Sequence, residues 1–185
     1  MEQTCECVDM AQAKKQPTMT ITVRPLAPST VKNNPRSRLL RARATGDTYR
    51  LIDGALDLGL VTGDEVNAAT GSDGARYLSG VARLRPGILA EVLVYERLCS
   101  HHAAEFVDQV KDDWRIDGAS SVHERGGRVR SFWPPTIPHE DVTMAVELST
   151  SEYGLPFSLI PTQFRPRLIA HMISFGPPPC IRSAA

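Results

Sequence analysis

Between residues 45 and 97 the chain breaks into short apolar runs, each closed by a glycine- or proline-bearing turn. Four or five short strands, spaced by roughly ten residues, fit a small, strongly curved antiparallel sheet or barrel. Tyr49–Asp53 reads as one strand, Gly54–Gly59 as a turn, and Gly63-Asp64 as a second turn ahead of Glu65–Ala69. Ser72-Asp-Gly74 signals a hairpin, because Asp-Gly tolerates the positive φ angles of a tight turn. Ala75–Arg85 and Ile88–Tyr95 follow, and the Pro86-Gly87 break between them suits a hairpin or bulge.

Upstream, Thr18–Leu26 alternates Met19, Ile21 and Val23 with threonines and an arginine, a period-two strand pattern stopped by Pro25 and Pro28. Residues 28–37 are turn-rich and read as a loop, and Arg38–Ala44 is assigned to a strand by its neighbours. The character then changes. Apolar residues fall at 103, 106, 107, 110 and 114, the spacing of an amphipathic helix, which Gly118 ends. Ser100 is a good N-cap for that helix, and Cys99 before it can pack inward. Ala119–Glu124 and Arg128–Trp133 flank Arg125-Gly-Gly127 as a second hairpin. Pro134, Pro135 and Pro138 make a stiff join to a helix whose first turn is acidic at Glu140 and Asp141, where the dipole favours negative charge. Helix, strand, strand, helix in this order is half of a ferredoxin-like unit.

The expected fold class is therefore α+β: a small curved antiparallel sheet or barrel, then a ferredoxin-like helix-strand-strand-helix half. The expected organisation is a lead-in without order over 1–18, a β-rich module over 19–97, an α+β module over 98–155, and a Pro-rich C-terminal arm over 156–185. That arm, with Leu168–Phe175 as strand or helix, either wraps the protein or docks on a partner.

The segment DTYRLIDGALDLGLVTGDEVNAA, followed at 119–148 by ASSVHERGGRVRSFWPPTIPHEDVTMAVEL, resembles a bacterial domain family of unknown function. The shared pattern is a tyrosine–arginine–apolar strand, a glycine–aspartate turn, and later a hairpin with a proline join to an acidic helix. The resemblance covers about residues 45–155. It departs at Ala55-Leu56, where a proline–aromatic pair would stand. It implies a fold and transfers no sites.

Composition excludes several functions. The formal charge is zero, so no global field draws the chain to nucleic acid or an anionic membrane. No run approaches 18 apolar residues, and residues 1–15 carry acids with no apolar core, so neither a membrane span nor a signal peptide is expected. A cytoplasmic location follows. Seventeen arginines against four lysines point to GC-rich coding, as in a bacterium or its phage. Cys5, Cys7, Cys99 and Cys180 are too few and too scattered for a disulfide framework.

No Gly-x-Ser-x-Gly elbow, P-loop or Gly-x-Gly-x-x-Gly spacing occurs, and no cysteine lies in a recognised catalytic setting. His101 and His102 follow Cys99 too closely to form a dyad, because consecutive helical side chains diverge. Catalytic residues are therefore left unassigned. A metal candidate is the helix face carrying His101, Glu105 and Asp108 at i, i+4 and i+7; against it stands an ordinary solvated face. No cofactor is expected, with a divalent metal ion at that face as the exception. A nucleic-acid candidate is the basic stretch 31–50, with Arg36, Arg38, Arg41 and Arg43, where six bases face the single acid Asp47. Against it stands a charged edge strand guarded from aggregation. Trp133, beside two prolines, and Phe175 in the arm are partner-binding candidates; against Trp133 stands a core tryptophan at a strand end. The resulting expectation is a non-enzymatic interaction protein acting through an unidentified protein partner. Nucleic-acid binding and an enzyme of unrecognised type are the alternatives, and homo-oligomers are open.

Overall fold

The computed structural model describes residues 17–26, 37–94 and 100–176. Within them the protein is mixed α+β, with ten strands in two sheets and three helices. The first sheet runs β10-β1-β2-β3-β4-β5 and curls until β1 meets β5 through one parallel bridge, Thr22 to Tyr77. Its members are β1 (Thr18–Pro25), β2 (Arg38–Thr45), β3 (Thr48–Leu51), β4 (Glu65–Thr70), β5 (Arg76–Arg83) and the two-residue β10 (Ile173–Ser174). Alternation decides what each strand buries. Ile21 and Val23 of β1 and Leu40 and Ala42 of β2 point into the barrel with Leu51, Val66 and Leu78, while Arg41 and Arg43 point outward. The expected curved sheet is thus present, but Ile88–Tyr95, expected as its last strand, is not part of it.

The second sheet runs β7-β8-β6-β9, built from β6 (Ile88–Leu93), β7 (Ser121–Arg125), β8 (Arg128–Trp133) and β9 (Phe157–Pro161). Helix α1 (Ser100–Ile116) connects β6 to β7, and α2 (His139–Ser151) connects β8 to β9. This is a full β-α-β-β-α-β ferredoxin-like unit, of which the helix-strand-strand-helix half is the centre. The strand completing it at the front, β6, came from the stretch assigned above to the β-rich module, and the strand closing it, β9, came from the Pro-rich arm. In register, β6 pairs Ile88–Leu93 with Trp133–Arg128 on one side and Ile88–Val92 with Pro161–Phe157 on the other.

Pro86-Gly87 is accordingly not a hairpin but the crossing from barrel to second sheet. Gly87 sits at φ +149°, and a Cβ there would lie 2.3 Å from the Trp133 carbonyl oxygen. Only glycine lets the chain pass so close to β8.

The layers follow from which face each residue takes. Ala90, Val92, Val129 and Trp133 pack against Ala103, Phe106, Val107, Val110 and Trp114 of α1 and against Val142 and Val146 of α2. Those five α1 residues are the periodic series read from the sequence, and each is at most 5% exposed. The opposite face of the sheet gives Leu89 and Phe132 to Leu56 and Val61 of the barrel. Helices, sheet and barrel therefore form three layers, with the outer face of the helices farthest from the barrel.

The arm returns to the barrel. α3 (Arg165–Met172) and β10 place Ile169 and Ile173 in the barrel core. Arg165, fully buried, donates to the carbonyls of Gly59 (2.9 Å) and Arg85 (3.0 Å) and to the Asp64 carboxylate (2.5 Å), with its guanidinium 5.4 Å from the Phe132 ring centre. Asp64 also accepts from the backbone N–H groups of Val61 (2.8 Å) and Arg85 (2.7 Å). Burial pushes the Asp64 carboxyl up from its ordinary range, against Arg165 and the two N–H donors, which pull it down; burial also pulls the Arg165 guanidinium down. This cluster ties loop, crossing and arm together.

Candidate interaction surface

Three groups of residues were singled out above, and the structure separates them. Trp133 is fully buried, and its Nε1–H donates to Ser131 Oγ at 2.7 Å. It lies 6.2 Å from Trp114, ring centre to ring centre, so it anchors the core and offers nothing to a partner. The flanking prolines place it at a strand end, where sequence alone leaves burial undecided. Phe175 is 40% exposed, just beyond β10.

On the α1 face, Glu105 and Asp108 are exposed, and Asp108 accepts from Lys111 at 3.4 Å. The His101 side chain, like Cys99, lies outside the described residues. Among the described residues no three His, Cys, Asp or Glu side chains stand together as metal ligands would.

Arg36 also lies outside the described residues. Arg38 is held bidentate by Asp57 at 2.6 Å, and Arg41 by Asp53 at 2.7 and 2.9 Å. The hydrogen bond to Arg41 holds the Asp53 carboxyl below its usual range. These acids come from a later turn, so a net-positive window in sequence is paired off in space. β2 is also no edge, because β1 and β3 pair on either side of it. Edge protection therefore cannot account for its outward arginines. Arg43 faces Arg50 of β3, which faces Glu65 of β4, which faces Arg83 of β5. One cross-strand row thus carries three arginines and a glutamate, with Arg50 bonded to Glu65 at 2.8 Å. Like charges directly opposite each other disfavour a sheet, so stability alone does not explain Arg43 beside Arg50. The row lines two adjoining depressions of about 400 and 210 Å³, which share Arg50 and Gly63.

Sequence reasoning missed the outer face of the helices. The same spacing that buries Ala103 to Trp114 leaves Gln109, Asp113 and Ile116 on one side of α1, and Met144 and Leu148 one turn apart on α2. Between the helices runs a groove of about 300 Å³, lined by Asp113, Ile116, Asp117, Ala145 and Leu148. Ile116 is 83% exposed, Leu148 72% and Met144 55%. Beneath them the buried Trp114 Nε1–H donates to Ser149 Oγ at 3.0 Å, which fixes the two helices against each other. Residues 100–117 carry Glu105, Asp108, Asp112, Asp113 and Asp117 against Lys111 and Arg115. Residues 139–152 carry Glu140, Asp141, Glu147 and Glu152 and no lysine or arginine. A chain of zero formal charge is therefore polarised, acidic on its helical layer and basic across the barrel row. The legible signal was a break in helical patterning: Ile116 and Leu148 sit off the buried stripe.

Among the described residues no helix is long and apolar enough to cross a membrane. No family model matches the chain, and no curated protein matches it. Among solved structures it is similar to a hypothetical protein from Neisseria gonorrhoeae, at 11% identity and a TM-score of 0.46 over 77% of this chain and 92% of that one, a likeness too distant to transfer a site.

Proposed function

We propose that the protein is a non-enzymatic binding module that engages a partner protein through the outer face of α1 and α2. The observation that carries this reading is the pair Ile116 and Leu148, 83% and 72% exposed on the rim of one groove. Large aliphatic side chains held on a rigid scaffold and ringed by acids have the make-up of an interface centre with a polar rim. A fitting partner presents apolar residues among basic ones.

The test places a photoreactive residue at Leu148 in the cell that makes the protein. A discrete adduct that disappears with Ile116→Asp, and that forms again from the two purified proteins, supports the reading. An adduct indifferent to Ile116→Asp, or none, contradicts it.

The Arg43–Arg50–Arg83 row supports a second reading, nucleic-acid binding. Base stacking would need exposed aromatic rings nearby, yet Tyr49 is packed against the barrel core and Tyr77 is buried. Loss of heparin retention on Arg43→Ala/Arg83→Ala would favour this reading over the first.

A further inference from the structure

The helical groove and the barrel row are complementary in charge, acidic on one and basic on the other. The groove offers two aliphatic knobs, Ile116 and Leu148, beside Asp113 and Asp117. The larger barrel depression, about 400 Å³, has Leu51 and Ile52 in its lining and Arg43 and Arg50 at its rim. Each copy carries one surface of each kind. We propose that the occupant of the helical groove is the barrel row of a second copy of this chain, docked head to tail. The proposal rests on the reading that the helical face is a docking surface, and it names the partner.

Such a contact uses different surfaces on the two copies, so it leaves a free row at one end and a free groove at the other. Assembly then continues into a ring or an open filament and does not stop at a two-fold dimer. Because aspartate–arginine pairs at a solvated rim orient the contact, it also weakens as salt screens them.

Sedimentation velocity on the full chain tests this. At about 0.01 M salt, where the screening length is about 30 Å, the mass should rise with protein concentration beyond a dimer; at about 1 M, where it is about 3 Å, the assembly should come apart. Asp113→Arg/Asp117→Arg alone and Arg43→Glu/Arg83→Glu alone should each weaken association at least about tenfold. Mixed in equal amounts they should associate again, since each reversed surface then meets its complement on the other variant. All four side chains are exposed, so both variants should stay folded; the like-charge pair that Arg83→Glu makes opposite Glu65 is offset by the opposite-charge pair that Arg43→Glu makes opposite Arg50. Wild type that stays monomeric at low salt, association unmoved by either variant, or a mixture that fails to reassociate would each overturn the proposal. Monomeric wild type that still gives the Leu148 adduct with a different protein overturns self-docking alone. Monomeric wild type that binds a single-stranded oligonucleotide through Arg43 and Arg83 assigns the row to nucleic acid.

Discussion

The outside of the barrel and the outside of the helical layer both carry charge but treat it differently. On the barrel, acids and bases from separate strands and turns meet in defined pairs: Arg38 with Asp57, Arg41 with Asp53, Arg50 with Glu65. On the helices the acids outnumber the bases seven to two, and the ion pairs seen, Lys111–Asp108 and Arg115–Asp112, are long contacts within one helix. Apart from the largely buried Arg38–Asp57 pair, these pairs are solvent-facing and contribute little to stability. The difference therefore bears on recognition: the barrel surface is largely matched internally, whereas the helical surface is left acidic and apolar. Beneath both lies a third use of charge, the fully buried Asp64–Arg165 pair that locks the arm to the barrel.

That contrast can be broken in graded steps. Arg165→Met leaves Asp64 buried without its cation and should cost about 3–5 kcal/mol in chemical denaturation. Adding Asp64→Asn, which removes the uncompensated charge and keeps a side-chain oxygen for the Val61 and Arg85 backbone N–H groups, should recover part of the loss. A double variant no more stable than the single would show that the loss does not come from the unpaired charge. Trp114→Ala should cost a comparable amount, about 3–5 kcal/mol, by opening a cavity between α1 and the second sheet. Gly87→Ala forces a Cβ against the Trp133 carbonyl at a strained φ, and should cost about 1–3 kcal/mol or more, read as a lower denaturation midpoint with unchanged slope.

Acid should act on the barrel surface more gently. Asp53, bonded to Arg41, and Asp73, bonded to the Tyr77 hydroxyl, both titrate below their ordinary range. Their folded values lie under their unfolded ones, so their contribution is full above about pH 4 and is lost as pH falls through the depressed values. Thermal melts of Asp53→Asn/Asp73→Asn should therefore show a shallower fall below that pH than wild type; an equal fall would assign the acid sensitivity elsewhere. Smallest of all, Ile116→Asp should leave stability within about 0.5 kcal/mol, because the side chain it replaces is already in water.

Much of the architecture was legible because it is local. The series 103, 106, 107, 110 and 114 is the buried stripe of α1, and Ser72-Asp-Gly74 and Arg125-Gly-Gly127 turn the hairpins they predict. What escaped was set by distant pairing. β6 could not be assigned to the second sheet without knowing that it pairs with β8 and β9, the latter some seventy residues later. Arg165 reaches Asp64 across 101 residues, and Arg38 reaches Asp57 across 19, so neither partner is visible in a sequence window. The basic stretch looked free for that reason. Trp133 stays open between anchor and core because a tryptophan beside prolines has the same sequence whether it faces the core or solvent. The helical surface is hidden in the sequence because the buried stripe already accounts for the helix, and the large apolar residues that fall off it add no further periodicity.

One measurement bears most directly on where this molecule meets its partner. Photoreactive residues are placed singly at Leu148, on the helical face, and at Phe175, the exposed aromatic beyond β10, and irradiated in the same cells. The expected result is a discrete adduct from position 148, abolished by Ile116→Asp, and none from position 175. An adduct from position 175 with none from 148 would contradict the assignment of the helical face as the docking surface.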